Sequence, residues 1–193
     1  LLITAVTGTS YPIRIAQLPP IPTVLARLFR RAQHPWQSQA IPATDGKHLW
    51  LPADSCIEDI ERGHEHYRIM ALQQAIRAQR GSASFIDGTL SPLQADVYLL
   101  LEAWAVDETL VEMLPGMGSA IEHLRRQALR QRPLLSAFSP ARQPLESLLR
   151  QLLASPCGRA PEDFPLSESP AHSQRLIDPV LSTLGLSPQD CSL

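Results

Sequence analysis

Ser91-Pro92 opens the longest apolar pattern in the chain, and that pattern constrains the fold more than any other stretch. Serine is a strong N-cap, and proline suits the first helical position, where its missing N–H costs nothing. Leu93, Val97, Leu100, Leu101, Trp104 and Val111 then recur at three- and four-residue steps up to the break at Pro115-Gly116. A helix this apolar must be buried against other helices. The flanking segments supply them. Ile69, Leu72 and Ile76 form a stripe that Gly81 ends, and Ile121, Leu124 and Ala128 begin another that runs out near Pro133. Pro144 precedes a third stripe of Leu145, Leu148, Leu149, Leu152 and Leu153. From Glu58 to Leu153 the period is helical nearly throughout, which predicts a bundle.

The N-terminal third reads as mixed α and β. Leu1 to Val6 and Tyr11 to Ala16 are short runs with β-branched residues on either side of "TGTS", the pattern of a hairpin. "KHLWLP", Lys47 to Pro52, is another strand candidate, introduced by the turn pair Asp45-Gly46. Between them Pro22 opens a run with Val24, Leu25, Leu28 and Phe29 at helical spacing. The expected fold class is therefore mainly α, a helical bundle of about four to six helices with a small N-terminal β-hairpin or short sheet, within residues 1–155. After Ser155 the composition shifts to "SPCGRAPEDFPLSESPAHSQ", rich in proline and serine, which predicts a linker. Leu176, Ile177, Val180, Leu181 and Leu184 make one more amphipathic stripe, interrupted by Pro179, that docks on the body or on a partner. Residues 156–193 are thus expected to be a linker and a short helix.

Composition narrows the functional classes. With 193 residues, 44% of them hydrophobic, the chain has enough apolar material for a true core. Seventeen basic against 19 acidic residues leave a formal net charge of −2, which argues against nucleic acid or an acidic membrane surface as a partner held by bulk electrostatics. Cys56, Cys157 and Cys191 are odd in number and widely spaced, so no disulfide framework and no C-x-x-C metal knuckle is indicated, and a reducing cytoplasm fits. The richest apolar stretch, around Val97 to Leu114, carries Glu102, Asp107, Glu108 and Glu112 and does not read as a membrane span. The opening Leu1-Leu2-Ile3 lacks an initiator methionine and the basic flank of a signal peptide, and reads as a cut within a longer polypeptide.

Candidate chemistry is sparse. "GHEHYR" places His64, Glu65 and His66 at the mouth of a helical run, but a helical zinc-protease site needs H-E-x-x-H, and Arg68 holds the place of the second histidine. On a helix, residues i and i+2 point about 200° apart, so His64 and His66 cannot share a metal ion there. No G-x-S-x-G, Walker A or G-x-G-x-x-G motif is present. "PGMGS", Pro115 to Ser119, offers backbone amides before a helix, though a helix–helix turn accounts for it. Glu102, Asp107 and Glu108 sit inside an apolar helix, either as acid–base groups or as salt-bridge partners of Arg125, Arg126, Arg130 and Arg132. Exposed basic faces are expected at Arg27, Arg30 and Arg31 and along the run that starts at Arg125 and Arg126. Trp36, flanked by Pro35, is a candidate exposed anchor, and Trp104 is expected in the core. The catalytic alternative is a helical zinc-dependent hydrolase using His64, His66 and a carboxylate such as Glu102.

A resemblance adds a further expectation. "DGKHLWLPA", "YRIMALQQAIRAQRGS", "DVYLLLEAWAVDETLVEMLPGMGSAIEHLRRQALRQRPLLSAF" and "ARQPLESLLRQLL", in that order, resemble the N-terminal region of the CbbO/NorD family of von Willebrand factor A-containing adaptors of MoxR-type AAA+ ATPases. The resemblance covers roughly Asp45 to Leu153. It implies a non-catalytic adaptor domain, without a catalytic or metal residue or a cofactor of its own, that joins a hexameric MoxR-type ATPase to its remodelling target. In the CbbO branch the target is inhibited Rubisco, from which tight-binding sugar phosphates are released; in the NorD branch it is nitric oxide reductase. No D-x-S-x-S motif occurs here, so the resemblance places the von Willebrand domain and its magnesium beyond Leu193. The residues expected to meet the partner are Arg27, Arg30, Arg31, Trp36, Arg125 and Arg126.

Overall fold

One helix of 22 residues, α3 (Pro92–Met113), sets the arrangement of the rest. The structure is a computed structural model that describes residues 2–16, 41–53, 60–86 and 88–187. The helical run expected from Pro22 lies outside the described residues. Ser91 starts α3 with a reciprocal capping box: Gln94 N donates to the serine Oγ, and Ser91 N donates to the Gln94 side chain. Buried residues occur all around α3, which makes it the central helix. Against it pack α2 (Ile60–Arg80), α6 (Pro170–Thr183) and, over a smaller area, α5 (Gln143–Ala154). The helix α4 (Gly118–Gln131) lies against α5 and α2.

Two apolar clusters divide the faces of α3. Leu93, Val97, Tyr98, Leu101 and Trp104 meet Leu145, Leu148 and Leu152 of α5, Phe164, and Ile177, Val180 and Leu181 of α6. Leu110 instead joins Ile69 and Leu72 of α2 and Ile121 of α4. Gly81 stops α2 in the left-handed conformation, φ 73°, that glycine adopts without steric cost. The mainly helical expectation holds, with five substantial helices and a small mixed sheet near the N-terminus among the described residues.

The N-terminal region departs from the expected hairpin. Leu2–Thr7 is a short helix, α1, despite its β-branched residues. Ile3 and Val6 lie one turn apart and pack against the α2–α4 cluster, which outweighs their strand propensity. Gly8, at φ 71°, closes α1 by donating to Thr4 O. The other run does form a strand, β1 (Ile13–Ile15), but its partner is distant in sequence. β1 runs parallel to β3 (Leu49–Leu51), and β2 (Ala43–Thr44) runs antiparallel along the other edge of β3. Leu49 and Leu51 point at α2, where they bury against Ala75 and Ala78 and against Met70 and Ala71.

The stretch after Ser155 is also not the expected free linker. Cys157 N donates to Glu122 of α4, and Gly158 N donates to Glu108 of α3, both at 3.0 Å. Phe164 enters the core edge-on to Trp104, with ring centroids 6.1 Å apart. Ser169 caps α6 by accepting from His172 N, and Pro170 follows at the first position. Pro179 does not break α6, whose continuation is held by Ile177, Val180 and Leu181 in the shared core. The division expected at residues 155/156 therefore runs through one hydrophobic core.

Burying Phe164, Ile177, Val180 and Leu181 contributes about 6–12 kcal/mol as an upper bound, as much as the whole stability of a typical domain. A chain ended after Ser155 is expected to lose its cooperative urea transition and to bind an apolar dye such as ANS. An unchanged, cooperative transition in that shortened chain overturns the single-core arrangement.

Candidate functional site

Three carboxylates buried among the helices are the most chemically distinctive groups in the body. Glu102 is 0% exposed in the middle of α3. It accepts from Arg80 Nε and Nη2 at 3.2 and 3.0 Å, from Ser82 Oγ at 2.5 Å and from Ser173 Oγ at 2.5 Å. Burial alone would raise its pKa, but the hydrogen bonds from Arg80, Ser173 and Ser82 outweigh that and hold it below the ordinary value. One turn and a half further on, Asp107 accepts from Arg125 Nε and Nη2 at 3.0 and 2.8 Å through one oxygen, and from Gln73 Nε2 at 2.6 Å through the other. Glu146 of α5 accepts from Arg132 and from Arg150. Each of these carboxylates ties elements together: Glu102 joins α2, α3 and α6, Asp107 joins α2, α3 and α4, and Glu146 joins α5 to the end of α4.

A cleft of about 310 Å³ opens beside the Asp107 clamp, between α2, α3, α4 and α5. His66, Gln73, Trp104, Asp107 and Arg125 supply its polar side, and Leu100, Leu124 and Leu149 contribute to its apolar wall. The guanidinium of Arg125 lies 4.3 Å above the Trp104 ring. His66 Nδ1 and Trp104 Nε1 are buried with no hydrogen-bond partner among the described residues. Burial lowers the His66 pKa, so its imidazole is neutral near pH 7. Both oxygens of Asp107 are already engaged, and no serine, threonine, cysteine or lysine lines the cleft. Its one uncommitted titratable group is a neutral histidine, suited to a single hydrogen bond.

The zinc-hydrolase set is not assembled by this geometry. His64 and His66 lie within helical α2, with His64 exposed and His66 turned into the cleft. Glu102 is fully engaged with Arg80 and the two serines. No group of three or more potential ligands that could hold a metal ion occurs among the described residues. The salt-bridge reading holds for Asp107, which pairs with Arg125, whereas Glu108 accepts from Gly158 N, and Glu102 is paired with Arg80 of α2 and not with the basic run of α4.

Among the expected partner-binding residues, Arg125 requires a correction. It is 7% exposed, and its guanidinium is committed to Asp107, to Ser155 O and to the face of Trp104, so it belongs to the interior. Arg126, the next residue, points outward with 56% of its side chain exposed and stands 3.9 Å from Glu122. Arg27, Arg30, Arg31 and Trp36 lie outside the described residues. Trp104 is in the core, as its spacing predicted. No described helix is long and apolar enough to cross a membrane. No protein-family model, curated protein or solved structure matches the chain.

Asp96 of α3 stands apart from the three clamps. It is 2% exposed, neither carboxylate oxygen has a hydrogen-bond partner among the described residues, and Arg142 stands 3.9 Å away. Burial raises its pKa to about 7, against the opposing pull of Arg142. A carboxyl raised in this way binds its proton more tightly in the folded chain than in the unfolded one. Its contribution to stability is full below about pH 4 and is lost as the pH rises through 7. Asp96→Asn is therefore expected to match the parent near pH 4 and to exceed it at pH 8 by up to about 4 kcal/mol in urea unfolding. Parallel pH profiles for parent and variant count against an unpaired, buried Asp96.

Proposed function

We propose that this chain is a non-catalytic adaptor module that couples a hexameric MoxR-type AAA+ ATPase to the remodelling of inhibited Rubisco. The observation that carries the reading is the commitment of Glu102, Asp107 and Glu146, which bind arginines across helix interfaces and stiffen the body. An adaptor held between an ATPase and its target needs such a body, because a compliant one would dissipate the displacement it has to pass on. The ordered segments quoted above, Asp45 to Leu153, bring the resemblance to the CbbO/NorD adaptors. They include β3, most of α2, α3, α4 and α5, so the resemblance falls on the packed body. Exposed Arg126 on α4 supplies one charged contact of the kind a docking surface uses at its rim.

The test is reconstitution. This chain is expected to co-migrate with a MoxR-type hexamer in size-exclusion chromatography, to change the ring's ATPase rate, and to restore carboxylation by sugar-phosphate-inhibited Rubisco. Activation of nitric oxide reductase in the same assay, with Rubisco unaffected, assigns the target to the other branch of the adaptors. Arg126→Glu is expected to weaken the complex by about fivefold while leaving the urea midpoint unchanged. A chain that neither co-migrates with such a ring nor alters its ATPase rate is not its adaptor.

A further inference from the structure

The helices α5 and α6 both rest on α3 and leave a groove of about 470 Å³ between them. Pro144 and Leu148 on α5 face Leu176 and Val180 on α6 and Leu184 just past its end, each row spaced at four residues. Leu148 and Val180 present only their outer edges, since both also belong to the core, and Ser147, Gln151 and Thr183 share the lining. Phe164 lies at its base, backed by Trp104. At the rim stand Glu162 and Asp163, both exposed. No lysine, arginine or histidine lines the groove, so its charge is of one sign on a chain whose formal net charge is only −2.

We propose that this groove is a docking site for an amphipathic helix of a partner protein, which sets aliphatic side chains between the two rows and lysine or arginine against Glu162 and Asp163. The two rows are ridges at i, i+4 spacing, and a helix fills the channel between such ridges by placing its own i, i+4 residues into it. The walls favour an apolar face, and two carboxylates without a cation among the lining residues favour positive charge at its edge. The expected basic run does not supply this surface. The groove lies at α5 and α6, and of that run Arg125 is buried on the inner face of α4. Its biological sense rests on the adaptor reading, because a module between two proteins needs a contact surface for each.

The test uses the whole chain, labelled for amide NMR, and two synthetic peptides of about four helical turns, one patterned from leucine and lysine and the other from leucine and glutamate. The lysine peptide is expected to shift the amides of Leu148, Phe164, Val180 and Leu184, and to bind more weakly as salt is added. The glutamate peptide is expected to leave them in place. The double variant Glu162→Gln, Asp163→Asn keeps a residue tolerant of the left-handed backbone at position 163, where φ is 66°. It is expected to lose about fivefold in affinity for the lysine peptide. Equal binding of both peptides, shifts that map elsewhere, an unchanged affinity in the double variant, or groove shifts that follow protein concentration alone all overturn the proposal. Co-migration with the ATPase ring is scored separately on the same variant, so a failed groove and a failed adaptor role give different results.

Discussion

Glu102 is the point on which the body turns. A carboxylate with no exposure to water is tolerable only when its oxygens are fully hydrogen-bonded, and here Arg80, Ser82 and Ser173 provide those bonds from three separate elements. Removing any one of them leaves the others facing an under-satisfied charge, so α2, the turn after Gly81 and α6 are energetically coupled through one side chain. Tyr98, one turn earlier on α3, reinforces the same junction by donating from its hydroxyl to Ser82 O at 2.8 Å. Apolar burial supplies most of the energy of association, while the clamp selects one register of helix against helix.

How much of this was legible in the sequence depends on the range over which each signal acts. Local signals read well. The Ser91-Pro92 start, the Gly81 stop, the Pro115-Gly116 break and the strand within Lys47 to Pro52 are dictated by residues within one or two turns of each other. Signals that need a distant partner did not read. Ile3 and Val6 look like strand residues until α2 and α4 offer them a helical packing site. The parallel pairing of β1 with β3 has no local turn to announce it. The proline- and serine-rich stretch after Ser155 resembles a linker by composition, and only its hydrogen bonds to Glu108 and Glu122 and the insertion of Phe164 make it part of the body.

The same limit applies to the candidate sites. Arginines along α4 look alike in sequence, yet Arg125 is interior and Arg126 is at the surface, a difference set by which face of α4 meets Asp107. The partners of Glu102 at Arg80 and Ser173 lie 22 and 71 residues away, beyond any spacing rule. One hint was present: a helix as apolar as α3 that nevertheless keeps Asp96, Glu102 and Asp107 must either pair or neutralise each of them. Two are paired and one is raised toward neutrality.

The position of α6 along the chain has a consequence for biosynthesis. Leu93, Val97, Leu101 and Trp104 are made long before Ile177, Val180 and Leu181, yet they share one core. While the ribosome adds the intervening residues, the nascent polypeptide must keep that face of α3 uncovered for several seconds at ordinary elongation rates of about 5–20 residues per second. Chaperones that bind exposed aliphatic segments during translation would find their substrate here, and they would lose it when α6 swings in.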